Sequence, residues 1–459
     1  MIISIKYNKH FEQIKKGGIV IVAKKLRALF YLILQIPIYL ISVPTAIIIR
    51  LIRPWFLIRW QQLTSSRIGH FGTNTELYCC ERDARINTPS QRYLDIFYLR
   101  KYVCNKQMEK MWRRNLIILP RWLLFPLFFV NRFIGRFISD GYYHEIGGAP
   151  HKTWDNKDPK IDSYFVASSN ITINRDRDVY NLIDQSEPHM NFTYDEESEG
   201  KKLLTQFGLS QDAKFVCLAV RDSTYLDRHR QFTLLKDRRS YHSYRNGNID
   251  DYILAAEELT KRGYYVFRMG AKVEKPMKSS NPKVIDYANS GMRSEFMDIY
   301  LGAKCSFCIS TALGFDAIPY IFRKPLVFIY VPLGYPWTSS DKHLLITKHH
   351  IHKEYKKKLT LSEIFSFNVA MAQDTKTYEI NNIELKENSP EEIKDLVIEM
   401  DERLNGSWNE TEEDRSLQKQ FWSIFNNNIK KLNLEKPLHG KIKSRFGAKF
   451  LRENKNWIR

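Results

Sequence analysis

Cysteine is scarce in this sequence, and two common nucleotide-binding signatures are missing. The 6 cysteines among 459 residues have no framework spacing, so we interpret them as reduced. Cys305 and Cys308 lie along one predicted strand without a second pair, which argues against a zinc or redox site. The absence of a Walker sequence and of G-x-G-x-x-G argues against an ordinary ATPase or dehydrogenase.

Acidic residues are too few to balance the basic ones. The chain has 71 Lys and Arg against 51 Asp and Glu, which gives a net charge of +20. This imbalance favours an anionic partner such as nucleic acid, an acidic membrane or a phosphorylated substrate. The hydrophobic content of 43% excludes disorder as the main state, and the length allows two domains.

Charge is absent altogether from residues 28–49. This segment is long enough to cross a bilayer as one helix, although Pro37 and Pro44 interrupt helical hydrogen bonding. A kinked hairpin in one leaflet fits equally well, and a buried pair of core helices is the alternative without a membrane. Because Glu12 is the only acid among the first sixty residues, which are rich in Lys and Arg, an anionic membrane surface is favoured.

Two later segments are further candidates for membrane contact. Residues 116–130 are predicted as a membrane-facing amphipathic patch or, equally, as a core helix. The tail over 430–459 is basic with interleaved aromatic residues, which is typical of a membrane-surface contact or a nucleic-acid patch. The apolar N-terminus favours the membrane, and no nucleic-acid partner is expected.

Strands and helices alternate regularly in the second half of the chain. Strands are predicted over 215–220, 264–268, 284–286, 306–310 and 326–331, and helices over 193–207, 249–261 and 295–303. This alternation predicts an α/β fold with a parallel sheet covered by helices. In the first half, residues 75–80 and 95–99 are predicted as strands and 105–112 as a helix.

Polar residues and two glycines follow several of these strands, at the edge of the sheet where ligands bind. They are Arg221, Asp222, Tyr225, Arg268, Gly270, Ser310, Thr311 and Gly314. Arginine offers planar charged donors to phosphate, and glycine lets the backbone approach a ligand closely. The pattern predicts a diphosphate site. Alternatively, Arg221 and Arg268 pair with Asp222, Asp286 or other local carboxylates.

Several sequence blocks resemble a family of bacterial GT-B-type glycosyltransferases associated with cell-surface polysaccharide synthesis. The blocks are residues 67–70, 74–78, 80–83, 216–226, 244–246, 262–270, 285–290, 296–300, 309–311, 387–393, 399–400 and 403–408. The resemblance runs from about Arg53 to the C-terminus, and the family's activity is itself largely inferred. It implies two Rossmann-like domains facing a cleft, with the nucleotide-sugar held by the C-terminal domain.

The resemblance and the patterns together give one prediction of organisation and activity. We expect a membrane-associated segment over 1–54, an acceptor-side domain over 55–195, a donor domain over 196–400, and returning helices with a basic tail over 401–459. The expected reaction moves a sugar from a nucleotide-sugar to a glycan or lipid-linked acceptor, without a cofactor or metal. It takes place on the cytoplasmic face of the plasma membrane. A sulfotransferase-like enzyme and a non-catalytic membrane-tethered scaffold are the alternatives.

The predicted donor site assigns Arg221, Arg268 and the N–H groups around Ser310, Thr311 and Gly314 to the departing diphosphate. Tyr225, Arg245, Gly270 and Asp286 complete the set of predicted donor-binding residues. His70 leads as the catalytic base because histidine titrates near neutrality and this one follows Gly69 in a predicted turn. A structural histidine is the alternative reading, and Asp222, Glu76 and Asp83 are other candidate bases.

Two motifs resemble metal-binding patterns but are predicted to have no metal. Asp176-Arg-Asp178 matches a manganese-binding pattern but is predicted as a solvated charge run. Residues 348–352, Lys-His-His-Ile-His, are predicted as a basic surface loop rather than a metal cluster.

Overall fold

The computed structural model describes residues 33–86, 88–138, 141–146, 178–225, 240–329, 333–334, 340–432 and 440–459, together with residues 22, 23, 26 and 30. Two compact units are present. Unit 1 comprises Met1–Leu63, Pro89–Lys101 and Leu116–Asp158, and unit 2 comprises Thr64–Thr88, Tyr102–Asn115 and Pro159–Arg459. The predicted domain boundaries, which are drawn by function, stay a prediction.

The helices and strands are numbered in chain order. The helices are α1 (Ile33–Ile52), α2 (Ile68–Asp83), α3 (Lys106–Asn115), α4 (Arg121–Ile138), α5 (Tyr194–Gln206), α6 (Ile253–Lys261), α7 (Glu295–Lys304), α8 (Ala317–Ile321), α9 (Leu361–Ser366), α10 (Thr375–Ile380), α11 (Pro390–Asn405), α12 (Glu412–Lys431) and α13 (Ala448–Glu453). The strands are β1 (Leu57–Leu63), β2 (Tyr93–Leu99), β3 (Phe215–Ala219), β4 (Tyr265–Arg268), β5 (Val284–Ile285), β6 (Cys308–Ser310), β7 (Leu326–Ile329), β8 (Leu344–Ile346), β9 (His349–His352), β10 (Lys357–Lys358), β11 (Ile383–Lys386) and β12 (Arg445–Phe446).

Unit 1 is built on the parallel pair β1 and β2, with Leu57 opposite Tyr93 and Leu63 opposite Leu99. Helices α1 and α4 belong to the same unit and share a small core with the strands. That core contains Ala46, Ile49, Trp60, Tyr98, Leu124, Leu127 and Val130. Residues 116–130, predicted as a membrane patch or a core helix, therefore include a helix with a buried face.

Unit 2 contains a seven-stranded sheet whose paired strands are all parallel. Its order is β12-β8-β7-β6-β3-β4-β5. Strand β3 is the first of these strands in sequence, and β4 and β5 extend the sheet on one side of it. The chain then crosses to the other side of β3, where β6 pairs with it and β7, β8 and β12 follow. The predicted parallel α/β sheet is confirmed, and a three-stranded antiparallel sheet, β10-β9-β11, accompanies it.

Local signals account for many of these boundaries. Thr193 caps α5 with a capping box, in which its hydroxyl accepts from the N–H of Glu196 at 3.3 Å and the Glu196 carboxylate accepts from the N–H of Thr193 at 3.0 Å. Gly208 stops the segment in a left-handed conformation with φ of +83°. The predicted helix and its end are confirmed.

Helix α2 contradicts the prediction of a strand over residues 75–80. Its residues from Phe71 to Glu81 are buried on nearly every side. A helix enclosed on all sides lacks the 3.6-residue alternation of apolar and polar positions, so its apolar stretch resembles a buried strand. The strand over 95–99 and the helix over 105–112 are confirmed as β2 and α3.

Two basic segments predicted at the surface are folded into unit 2. Residues 349–352 form β9, in which His350 and His352 are buried, so the predicted surface loop is wrong. In the tail, Phe446, Phe450, Trp457 and Ile458 are buried in the core, and β12 adds the last strand of the large sheet. These side chains are therefore unavailable for the membrane or nucleic-acid contact predicted for the tail.

A buried ionic cluster ties α2 to the rest of unit 2. One ring nitrogen of His189 donates to Glu76 Oε1 at 3.0 Å and the other to Asp83 Oδ2 at 2.9 Å, which requires a protonated ring. Arg323 Nη2 adds an ion pair with Glu76 Oε1 at 2.6 Å. Burial by itself lowers the pKa of His189, but hydrogen bonds to Cys80 and Glu76 and the negative charge of Glu76 raise it to about 10.

The raised pKa of His189 makes the stability of unit 2 depend on pH. The stabilisation is complete below the ordinary pKa of histidine and is lost as the pH rises through about 10, so the free energy of unfolding should fall between about pH 7 and pH 9.5. His189→Gln should cost about 1–3 kcal/mol near pH 7 and should flatten this dependence. Urea unfolding at both pH values measures the free energy of unfolding. An equal fall between these pH values in His189→Gln would show that His189 does not cause the pH dependence.

Candidate active site

Strand order reverses between β3 and β6, and in open α/β sheets such a reversal opens a crevice at the carboxyl ends of the two strands. The N–H of Arg221, two residues after β3, donates to Thr311 Oγ1 at 2.9 Å, and the N–H of Thr311 donates to the carbonyl of Ala219 at 3.2 Å. In open α/β sheets, ligands bind at this switch point. The predicted site residues Arg221, Ser310 and Thr311 therefore meet at the expected place.

The turn after β6 is held in a strained conformation. Ser310 Oγ donates to Asp316 Oδ2 at 2.9 Å and accepts from the N–H of Ala312 at 3.1 Å. Ala312 has a left-handed φ of +58°, which is uncommon for a residue with a side chain. Such strain persists only where the surroundings enforce it, and it is concentrated at functional sites.

Three basic side chains lie at this edge of the sheet. The Arg221 guanidinium donates to Asn246 Oδ1, and Lys348 Nζ donates to the carbonyl oxygen of the same asparagine. Lys348 Nζ also pairs with Glu387 Oε1 at 2.5 Å. Arg245 Nη1 donates to the carbonyl of Ala312 at 3.1 Å. Arg221 and Lys348 are both buried, at 8% and 2% exposure.

The electrostatics of this cluster favour an anionic ligand. Burial lowers the pKa of Lys348, the neighbouring Glu387 opposes that effect, and the positive charge of Arg221 lowers the pKa further. Burial likewise raises the pKa of Glu387, against the pull of Lys348. Arg245 Nε is buried and has no hydrogen-bond partner among the described residues. An anion bound here would relieve the repulsion between cations and give that nitrogen an acceptor.

Arg268, the last residue of β4, and Asp286, directly after β5, form a separate ion pair. Arg268, 1% exposed, donates from Nη1 to Asp286 Oδ1 at 3.2 Å. The other carboxylate oxygen accepts from the N–H of Met277 at 2.9 Å and from Asn289 Nδ2 at 2.8 Å. The alternative interpretation, in which Arg268 pairs with a local carboxylate, thus describes this arginine. Gly270 has a φ of +155°, and an added Cβ would lie 2.5 Å from Val273 Cγ1, so it serves the local turn.

Asp222 and Tyr225 also have local roles. Asp222 Oδ1 accepts from the N–H of Thr224 at 2.9 Å, and Oδ2 accepts from the N–H of Glu274 at 2.9 Å. Both oxygens of the carboxylate therefore hold backbone, which disfavours Asp222 as the catalytic base. Burial raises the pKa of the Tyr225 hydroxyl to about 12, so it stays protonated at neutral pH.

The first turn of α2 lies beside the crevice and carries His70. An added Cβ at Gly69 would lie 3.2 Å from Gly314 Cα, so the two glycines let the helix start approach the turn after β6. Gly314 thus packs against α2, and its predicted place facing the diphosphate stays a prediction. His70 sits in the helix rather than in the predicted turn, and it is half-buried.

The remaining candidate bases and metal motifs belong to structural contacts. Glu76 and Asp83 take part in the His189 cluster. Glu76, Cys80 and His189 place their ligand atoms within 4.8 Å of one another, but Arg323 already supplies a positive charge to Glu76. Asp178 accepts from the N–H groups of Leu182 and Ile183 at 2.7 and 2.9 Å, whereas Asp176 lies outside the described residues. All six cysteines are free thiols.

The sequence interpretation missed three members of the cluster: Asn246, Lys348 and Glu387. Asn246 and Glu387 fall inside blocks that carry the family resemblance, so the resemblance could have identified them as site residues. Lys348 was assigned to a surface loop because its neighbours are basic and polar. It follows β8 at Ile346, a strand that the prediction lacked, and so stands at the same edge of the sheet.

No protein-family model and no curated protein match this chain. Among solved structures, it is similar to a glycosyl transferase of family 9 from Veillonella parvula DSM 2008, with 10% identity and a TM-score of 0.37, covering 64% of this chain and 86% of that one. It is also similar to the ADP-heptose LPS heptosyltransferase II of E. coli, with 14% identity and a TM-score of 0.34, covering 63% and 90%. Similarity at these TM-scores establishes neither the fold nor the activity of this chain.

Lys348 gives the anion site a testable pH dependence. Its lowered pKa means that its charge is lost at a lower pH than for a lysine in water, so affinity for pyrophosphate should begin to weaken at a lower pH than an ordinary lysine would cause. Lys348→Met should weaken binding about 10- to 100-fold at neutral pH and should reduce the dependence. Lys348→Arg should bind with a shallower pH dependence than the wild type. Calorimetric titration measures all three; wild-type affinity in Lys348→Met would contradict the assignment.

Proposed function

We propose that this protein is a glycosyltransferase that moves a sugar from a nucleotide-sugar to a glycan or lipid-linked acceptor in surface-polysaccharide synthesis. The observation that carries the proposal is the cluster of Arg221, Arg245 and Lys348 at the switch point of the parallel sheet. The donor of such a reaction carries two phosphates, and it is the type of ligand that a basic cluster at this edge suits. The sequence resemblance supports the same class.

The basic cluster fits the needs of the leaving group. When the bond between the anomeric carbon and the diphosphate oxygen breaks, the bonding electrons leave with the nucleoside diphosphate and its negative charge increases. Arg221 and Lys348, fixed through Asn246, would stabilise that charge at a site already shielded from water. Arg245, fixed through Ala312, would contribute a third cation. In this proposal these side chains do the work that a metal ion does in other transferases.

The acceptor hydroxyl must lose its proton as the new bond forms. We assign the base to His70, because α2 brings it to the turn after β6 and because Asp222 is occupied by backbone N–H groups. The acceptor itself is proposed from the membrane-related features of the sequence, as is a location on the cytoplasmic face of the plasma membrane.

Arg221 gives the sharpest test of the donor assignment. Arg221→Ala should weaken nucleoside diphosphate binding about 10- to 100-fold and should reduce turnover at least as much, because a charge-assisted contact is lost. The matched control is Arg262→Ala, a partly buried arginine of unit 2 outside the cluster, which pairs instead with Asp401 and Glu402. Saturable donor binding with wild-type turnover in Arg221→Ala would contradict the proposal.

Titration of the wild-type protein with nucleotides separates the competing functions. Wild-type protein should bind one of the nucleoside diphosphates and should not require adenosine 3′,5′-bisphosphate. Tight binding of the bisphosphate alone would point to the sulfotransferase-like alternative. The absence of binding to every nucleotide would favour the scaffold.

His70 is tested by the pH dependence of turnover. His70→Ala should lower turnover about 10²- to 10⁴-fold and remove the acidic limb of the pH profile, because no group is left to accept the proton. Nucleoside diphosphate affinity should stay at the wild-type value, which separates a base from a donor ligand. An unchanged profile with full activity would exclude His70.

A further inference from the structure

Unit 1 exposes an unusual apolar surface on α1. Its outward side chains include Ile36, Leu40, Val43, Ile47 and Leu51, which recur at helical spacing along one face, and Leu40 is 67% exposed. By length and composition the helix could cross a membrane. Its mean hydropathy is 1.7, and only 17% of its apolar stretch is buried. Soluble surfaces rarely expose this much contiguous apolar area.

Helix α4 exposes a second apolar face. Trp122, Phe129, Phe133 and Phe137 point outward at spacings that place them on one side of the helix, and Phe137 is 76% exposed. The two arginines of α4 whose side chains are described turn toward the protein: Arg121 lies 5.9 Å from the ring centroid of Tyr98 on β2, and Arg132 pairs with Glu145 at 3.6 Å.

The two faces are continuous because the helices contact each other. The Tyr39 ring meets the Phe129 ring edge-on, with centroids 6.0 Å apart. Arg50 donates to Asn131 Oδ1 at 3.0 Å and to its carbonyl oxygen at 2.9 Å. Ala46 and Ile49 are buried in the unit 1 core between these contacts. Helix α1 is therefore fixed along residues 39–50 on a folded α/β unit.

These contacts disfavour a helix that crosses the bilayer. Along residues 39–50 one side of α1 packs on protein, with Ser42, Ala46 and Ile49 buried, so this part of the helix is not surrounded by lipid. Each helix instead has one face on protein and one apolar face outward, which is the arrangement of helices that lie in the plane of a membrane. Tryptophan and phenylalanine suit this depth.

We propose that α1 and α4 together insert their outward faces into one leaflet of an anionic membrane. Charge complementarity selects the anionic lipid: the first sixty residues are rich in Lys and Arg and contain Glu12 as their only acid. The inference refines the membrane location within the proposed function, and it depends on the exposed faces of unit 1 and on the basic N-terminal sequence, not on the donor site. Lipid binding requires no donor, so the two proposals can fail separately.

The first experiment measures flotation of the full chain with vesicles. Binding to phosphatidylcholine vesicles containing phosphatidylglycerol should be at least tenfold stronger than to pure phosphatidylcholine. The double variant Phe133→Asp/Phe137→Asp should lose at least tenfold, and Leu40→Asp should behave similarly. The matched control is Ile380→Asp, 69% exposed on α10 of unit 2, which should float like the wild type. Unchanged melting temperatures and pyrophosphate affinities would confirm that the variants are folded.

The second experiment measures topology. An N-terminal tag should be digested by protease from the same side of sealed vesicles as unit 2, and dyes on Leu40→Cys and Phe137→Cys should report similar shallow depths. A protected tag on the opposite side would show that α1 spans the bilayer and would overturn the proposal. Wild-type flotation of the α4 double variant would also overturn it. If that variant instead lost self-association while floating like the wild type, the α4 face would contact another copy of the chain and not the membrane.

Discussion

The pairing of β3 with β6 is the constraint on which the rest of unit 2 depends. Ala219 lies opposite Ser310 in that pair, so the chain segments that leave both strands emerge side by side. The strands formed between them in sequence, β4 and β5, lie on one side of β3, and β7, β8 and β12 lie beyond β6. The crevice is therefore a consequence of strand order, and it needs no special glycine motif to form.

Burial of the basic cluster is destabilising, and contacts within the protein offset only part of that effect. Cations removed from water are destabilising unless they are paired or hydrogen-bonded. Asn246 and Glu387 satisfy part of this requirement, and the carbonyl of Ala312 accepts from Arg245. A ligand with several anionic oxygens would satisfy more of it. Site formation and ligand choice thus have the same physical origin, which is the reason that a diphosphate is favoured over a neutral ligand.

The sequence predicted the parallel sheet well because its strands are short apolar runs between capped amphipathic helices. Arg221 and Thr311 could be placed because each directly follows such a strand. Lys348 could not, since its partner Glu387 is far along the chain and its own strand is too short to recognise. Helix α2 was missed because burial on all sides removes the periodic signal. The aromatic residues of the tail looked accessible because a sequence does not show that β12 joins the sheet.

The most direct test of the central claim is a crystal structure of the full chain with a nucleoside diphosphate bound. The diphosphate should lie at the carboxyl ends of β3 and β6, with its oxygens within hydrogen-bond distance of the Arg221 guanidinium and Lys348 Nζ. A diphosphate bound elsewhere, with the Arg221–Asn246–Lys348 cluster unchanged and not in contact with it, would contradict the assignment of this cluster to the donor.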